Sequence, residues 1–122
     1  MKMENTNKII WKTTDYKSRS VVLRSKEKEH ILEGHGIMGR KENMSAIKNT
    51  VESPDSVYVS AEISSREVLF SGSAGASYEP RNLQTKVIVE YDSVSSGHVV
   101  TAFPIKKVGG NIGEKLYPED DV

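Results

Sequence analysis

The sequence predicts an α+β domain in which N-terminal helices pack on one face of an antiparallel sheet of about four to five strands. Two observations support this. Met44, Ile47 and Val51 recur at i, i+3 and i+7, which indicates one apolar stripe along a helix. After Pro54 the pattern changes to short β-branched and aromatic segments separated by Ser and Gly, which is typical of strands joined by turns.

The first half of the chain contains both predicted helices. The apolar segment at residues 20–23 predicts a short strand before them, and the one at residues 9–11 predicts either a short strand or an anchoring apolar patch. Ser25 is expected to cap the first helix, and Gly34 is expected in the left-handed conformation just past its end. The second helix covers residues 42–52 and ends before the proline that follows.

The second half predicts strands only. They are expected at residues 55–61, 67–70, 83–91 and 98–105, with a loop at 71–80 and a short strand at 114–117. Residues 87–89 (VIV) are expected to be buried on both faces if their strand is central. The six-residue segment DSVSSG is expected to join the last two long strands as a hairpin.

Length and composition narrow the class of protein. The 122 residues predict a single domain over residues 1–122, with a core at about residues 20–105. The absence of cysteine excludes disulfides and thiol catalysis. No apolar run approaches the roughly 18 residues of a membrane span, and no signal peptide is recognisable.

The formal net charge is zero, but the charge is unevenly distributed. Residues 1–48 carry eleven Lys and Arg against six Asp and Glu, a net +5, and residues 49–122 carry the reverse, a net −5. The neutral total argues against strong nonspecific binding of polyanions, although a basic face is compatible with it. The candidates for that face are Lys12, Lys17, Arg19, Arg24, Lys26 and Lys28.

The segment HILEGHG, residues 30–36, places two of the three histidines five residues apart. A zinc-binding helix motif needs a spacing of four, whereas five puts the side chains about 140° apart on a helix. Because no third ligand is near in the sequence, we expect no metal ion and no other cofactor.

Two interpretations of these histidines are compatible with the sequence. Each can be an ordinary histidine bonded to the backbone, which is the interpretation adopted for His98 beside its turn. Alternatively, Gly34 ends the helix and lets His35 turn toward the side that His30 lines, where the helix dipole favours its charged form. Two imidazoles in unequal environments would then act as base and acid in cleaving a phosphodiester beside a ribose 2′-OH.

Four segments, in this order, resemble a known family: HILEGHG, NTVESPDSV, KVIVEY and GHVVTAF. They resemble the barnase/EndoU/colicin E5-D/RelE-like (BECR) nuclease fold, in its phage- and polymorphic-toxin-associated branch. The resemblance covers about residues 20–105. Where the family often has arginine before and proline after its second histidine, this chain has Gly34 and Gly36.

The resemblance implies a metal-independent endoribonuclease toxin that cleaves RNA, commonly tRNA, and leaves a 2′,3′-cyclic phosphate. It also implies a cognate immunity protein as partner, no membrane partner, and action in the cytoplasm, to which the domain is delivered as the C-terminal part of a secreted effector. The residues expected in the catalytic site are His30, His35, Thr101, Lys86, Tyr91 and Arg81. The residues expected to contact RNA are Arg24, Lys26 and Lys28.

Each assigned role has a structural alternative. Thr101 donates a hydrogen bond to the phosphate or only packs, and Tyr91 contacts the nucleotide or caps the core. Lys86 and Arg81 stabilise the charge of the transition state or are exposed charges near a strand end. Regular alternation would place Thr101 on the same side of its strand as Val99.

Two other functions are compatible with the sequence. One is a catalytically inactive binding module, such as a phage accessory domain on the same fold. The other is a nucleic-acid-binding regulator whose helix pair imitates a helix-turn-helix. For that role, the second helix offers only Lys48 and Asn49 to a groove.

Overall fold

The computed structural model describes residues 7–78 and 82–119. These residues form two α-helices, a short 3-10 helix at Gly36–Gly39, and seven strands. The elements are β1 (Ile9–Thr14), β2 (Ser20–Arg24), α1 (Ser25–Gly34), α2 (Lys41–Glu52), β3 (Ser56–Ser60), β4 (Arg66–Ser71), β5 (Gln84–Ser93), β6 (Ser96–Ile105) and β7 (Ile112–Tyr117).

The protein has an α+β fold, as expected, but its sheet is larger than predicted. Within the described residues seven strands form one sheet in the order β1-β2-β6-β5-β4-β3-β7. The expectation of four to five antiparallel strands is wrong, because the edge strands β1 and β7 join the sheet and β2 pairs with β6 in parallel. Parallel pairing needs a long crossover, and both helices lie in the chain between β2 and β6.

Helix α2 covers one face of the sheet, here called the back face. It buries Ile47 and Val51 against a core that includes Val87 and Val89 of the central strand β5. Ile88 between them is only partly buried. Residues 87–89 are therefore fully buried on the back face alone, and the opposite side of β5 is partly accessible.

Helix α1 lies beside β6 instead of stacking on the sheet next to α2. The pairing of β2 with β6 ends at Val22, opposite His98, and α1 then contacts the remaining part of β6. Ile31 of α1 is fully buried in the core. The prediction that both helices pack on one face is therefore met only in part. Helix α2 covers the back face, whereas α1 is positioned to present side chains to either face.

Both predicted ends of α1 differ in detail. The helix begins at Ser25 itself, and the side chain of Asn7 supplies the cap, since Asn7 Oδ1 accepts a hydrogen bond from the Lys26 backbone amide at 2.8 Å. Gly34 is the last helical residue, and His35 follows it with an extended φ of −143°. The expected roles of Ser25 as cap and of Gly34 as a left-handed residue are therefore wrong.

The hairpin between the two long strands is tighter than expected. Strand β5 continues to Ser93 and β6 begins at Ser96, so two residues connect them instead of six. The short strand expected at residues 114–117 is confirmed as part of β7. Over the described ranges, neither helix has the length and apolar character needed to cross a membrane.

Candidate functional site on the front face of the sheet

Three rows of side chains lie on the face of the sheet opposite α2, here called the front face. Residues directly paired across antiparallel strands project to the same side, so the strand register defines the rows. From one end of the strands to the other, the first row is Arg66–Glu90–His98, the second is Val68–Ile88–Thr101 and the third is Phe70–Lys86–Phe103.

A β-bulge in β6 decides which residues face the front. Val99 pairs with Val89, but Thr101 pairs with Ile88, so that Val100 is an extra residue between them. Val99 is fully buried in the core, whereas Thr101 is partly exposed. The expectation that Thr101 shares a face with Val99 is wrong, because the extra residue shifts the alternation by one.

A hollow of about 320 Å³ lies at the first row, between α1 and the sheet. Glu27 and His30 of α1 line it together with Arg66, His98 and Val100. Glu27 and His30 are three residues apart and therefore share one side of the helix, while Ile31 anchors the helix in the core. His30 thus faces the sheet across a hollow.

Carboxylates accompany Arg66 and His98 at this hollow. Arg66 Nε donates to Glu90 Oε1 at 2.7 Å, and His98 Nδ1 lies 2.9 Å from Asp92 Oδ2. Hydrogen bonds from Ser65 and Arg66 lower the pKa of the Glu90 carboxyl, so Glu90 is ionised at neutral pH. For His98, the partner is the Asp92 carboxylate. The backbone carbonyl expected for a histidine beside a turn is not its partner there.

A second hollow of about 260 Å³ adjoins the first, since Arg66 lines both. Lys86 is at its side, only 5% exposed, and its ammonium donates to the carbonyls of Gly109 and Gly110 at 3.0 and 3.2 Å. Burial lowers the pKa of Lys86. Lys86 therefore faces the front, in the hollow next to the one that contains His30, and it is not the exposed charge of the structural alternative.

His35 reaches the other end of the front face. Its ring stacks on Phe103 in the third row, with centroids 4.9 Å apart and an interplanar angle of 23°. The first and third rows are four residues apart along β5, a distance of about 13 Å. Both helix histidines therefore border β6, but His35 does not line the hollow that contains His30. The expectation that His35 turns toward the side that His30 lines is wrong, because the His35 ring is held against Phe103.

Tyr91 lies on the back face, away from both hollows. Its hydroxyl donates to Asp15 Oδ2 at 2.5 Å, and the Arg19 guanidinium lies 3.9 Å from the centre of its ring. Arg19 also bridges Asp15 and Glu67. Burial, followed by the hydrogen bond to Asp15, raises the pKa of Tyr91. The structure thus places Tyr91 and Arg19 in a partly buried network on the back face, away from the two hollows.

The remaining predicted residues are dispersed. Arg81 lies outside the described residues. Lys26 precedes His30 by four residues and shares its side of α1, whereas Lys28 precedes it by two and projects to the other side. Arg24 is half-buried where β2 ends, next to the start of α1.

Sequence reasoning missed three residues of the first hollow and its rim, namely Arg66, Asp92 and His98. The motif GHVVTAF contained His98, but regular alternation placed His98 and Thr101 on opposite sides of the strand. No local signal marked the bulge that brings them to one face. Asp92 belonged to a predicted turn, so its contact with His98 was not expected.

Comparison with known proteins finds no family model, no curated protein and no solved structure that matches this chain. In residues 7–78 and 82–119, no group of three or more His, Asp or Glu side chains is arranged to hold a metal ion. Function is therefore inferred from the chemistry of the front face and from the resemblance of the sequence motifs.

Proposed function

We propose that this chain is an endoribonuclease that cleaves RNA, tRNA in particular, without a metal ion. The ribose 2′ oxygen attacks the adjacent phosphorus, the P–O5′ bond breaks, and the products carry a 2′,3′-cyclic phosphate and a 5′-OH. The observation that supports this most directly is the first hollow, in which His30 from α1 faces Arg66 and His98 on the sheet. An imidazole and a guanidinium around one cavity are suited to a phosphodiester.

The other front-face residues supply supporting roles in this proposal. Thr101, in the row next to the hollow, donates its hydroxyl to a phosphate oxygen. Lys86 adds positive charge to the second hollow, and the stacked rings of His35 and Phe103 offer a surface for a base. Lys26, on the same side of α1 as His30, contacts the RNA backbone.

The proposed partners follow the motif resemblance. One is RNA, and the other is a cognate immunity protein that covers the front face and prevents RNA from entering. The proposed place of action is the cytoplasm, where tRNA is found, after delivery as the C-terminal part of a secreted effector.

A second candidate is a binding module without catalytic activity. The balanced charge of the front face favours it, because Glu27 and Glu90 both adjoin the first hollow and Glu90 pairs with Arg66. Such a module would bind RNA or a protein partner on the same face and leave RNA intact.

Incubation of the protein with total tRNA in EDTA distinguishes the two candidates. We expect discrete fragments on a denaturing gel, with 5′-OH ends that polynucleotide kinase labels without prior dephosphorylation. His30→Ala should abolish cleavage, and Glu29→Ala, at an exposed neighbouring position on α1, should not. Intact RNA with the wild-type protein would favour the binding module, and cleavage that persists in His30→Ala would contradict the site.

A further inference from the structure

His98 combines two features that suit a catalytic imidazole. Its ring lines the hollow that also contains His30, and its Nδ1 lies 2.9 Å from the carboxylate of Asp92. A carboxylate at Nδ1 holds the neutral ring in the tautomer that carries its proton there. The other nitrogen, Nε2, then has a free lone pair and can accept a proton.

The tight hairpin between β5 and β6 holds Asp92 and His98 close together. Asp92 lies near the end of β5 and His98 near the start of β6, with the two-residue connection between them. The charged and titratable groups that face His98 are Asp92 and Glu90 from β5, Arg66 from β4, and Glu27 and His30 from α1. The two β5 carboxylates stabilise the imidazolium that forms when His98 takes up a proton.

We propose that His98, oriented by Asp92, is the general base of RNA cleavage and that His30 is the general acid. This inference rests on the proposed ribonuclease function. His98 Nε2 takes the proton of the 2′-OH as the 2′ oxygen bonds to phosphorus. The P–O5′ bond breaks, and the His30 imidazolium gives its proton to O5′. One proton is taken up and one is released, so exchange with water restores both imidazoles.

The distances along the sheet favour His98 over His35 in this role. A base and an acid that act on one phosphodiester must both reach the atoms around a single phosphorus. His98 and His30 line one hollow, whereas His35 is stacked on Phe103, two rows away and about 13 Å along the strands. His35 is therefore assigned to the outer part of the cleft.

The test is the pH dependence of tRNA cleavage by four single variants and the wild type. His98→Asn should lower kcat by about 1,000-fold, within the range for loss of an acid–base group. Asp92→Asn should lower kcat by less than His98→Asn does and move the acidic limb of the profile to lower pH, because the imidazolium loses a stabilising carboxylate. His35→Asn should lower kcat far less than His98→Asn does, because His35 lies outside the first hollow. Glu114→Gln, which removes an exposed carboxylate on β7, is the matched control and should change neither rate nor profile.

A second measurement does not depend on activity. Histidine ring signals followed by NMR during addition of an uncleavable 2′-deoxy oligonucleotide should shift for His30 and His98, with a smaller shift for His35. Thermal unfolding should show that all four variants are folded, since His98 and Asp92 are partly exposed.

Each contrary outcome has a separate meaning. Suppose that the wild type cleaves RNA, that His98→Asn cleaves it at the same rate, and that the His98 ring signals of the wild type do not shift. The role of His98 is then overturned while the ribonuclease function stands. If Asp92→Asn cleaves RNA at the wild-type rate, its role in orienting His98 is overturned. If the acidic limb does not move, its role in stabilising the His98 imidazolium is overturned. If the wild type leaves all RNA intact, the proposed function fails and the role of His98 fails with it.

Discussion

Ile88 of β5 lies directly opposite Thr101 of β6, although their neighbours Val89 and Val99 are also paired. Two residues thus follow Val99 on β6 where β5 advances by one. This single extra residue places His98 and Thr101 on the same face of the sheet, beside the hollow that contains His30. The proposed catalytic surface therefore depends on the register of two central strands.

Deletion of Val100 tests this register. Without Val100, His98, Val99 and Thr101 alternate front, back and front, as they do now, so the core keeps the same residues. We expect the variant to fold, with a loss of about 1–2 kcal/mol or less in its free energy of unfolding in urea. Cleavage should fall, because Val100 lines the first hollow.

The control is deletion of Ile88 from β5, which has no extra residue to lose. That deletion puts one half of the central strand out of phase with the core and should prevent folding. If the Val100 deletion unfolds the protein as completely as the Ile88 deletion does, the assigned bulge is incorrect.

Thr101→Val tests the hydroxyl in the second row. The two side chains have the same shape, and Thr101 is only partly buried, so stability should change by no more than about 0.5 kcal/mol. The cleavage rate should fall by about 100-fold, as for loss of one donor to a developing anion. Thr14→Val, on the exposed edge strand β1, should retain the wild-type rate. Equal rates for both variants would remove Thr101 from the site.

Lys86→Met should leave the fold at least as stable as the wild type at neutral pH. The ammonium is nearly fully buried, and burial lowers the pKa of Lys86 below its ordinary value of 10.5. Between those two pKa values the unfolded chain binds more protons than the folded chain, so the free energy of unfolding of the wild type rises with pH.

The Lys86→Met variant lacks the ammonium, so its free energy of unfolding should not show this rise with pH. Urea unfolding at several alkaline pH values measures the difference between the two proteins. A wild-type stability that falls with pH through the same interval, relative to Lys86→Met, would show that the Lys86 ammonium is stabilising in the fold.

Tyr91→Phe should lower stability without lowering the cleavage rate of the folded protein. The substitution removes the hydroxyl that donates to Asp15, a buried carboxylate that also pairs with Arg19. We expect a loss of about 1–3 kcal/mol in chemical unfolding. Tyr58→Phe, a half-buried tyrosine on β3, serves as the control for loss of a hydroxyl. A folded Tyr91→Phe protein that no longer cleaves RNA would contradict the back-face location.

Local patterns were enough to predict the two helices and the long strands. The apolar stripe of Met44, Ile47 and Val51 needs only the period of a helix, and the β-branched residues 87–89 need only the propensity of a strand. The sequence also identified His30 as a candidate, because a histidine on a short amphipathic helix is recognisable without knowledge of its partner. These features depend on residues that are close together along the chain.

Only the tertiary structure decided how these elements combine. The parallel pairing of β2 with β6 joins segments more than 70 residues apart, and the bulge at Val100 exists only relative to the register of β5. The contact of Asp92 with His98, and the shared hollow of His98 and His30, follow from those pairings. Alternation along one strand predicts which residues share a face only when the strand has no bulge. Whether it has a bulge depends on its register with the partner strand. For this reason the sequence by itself could predict helices, strands and a type of chemistry to propose, whereas the packing of distant segments decided which residues lie together at the candidate site.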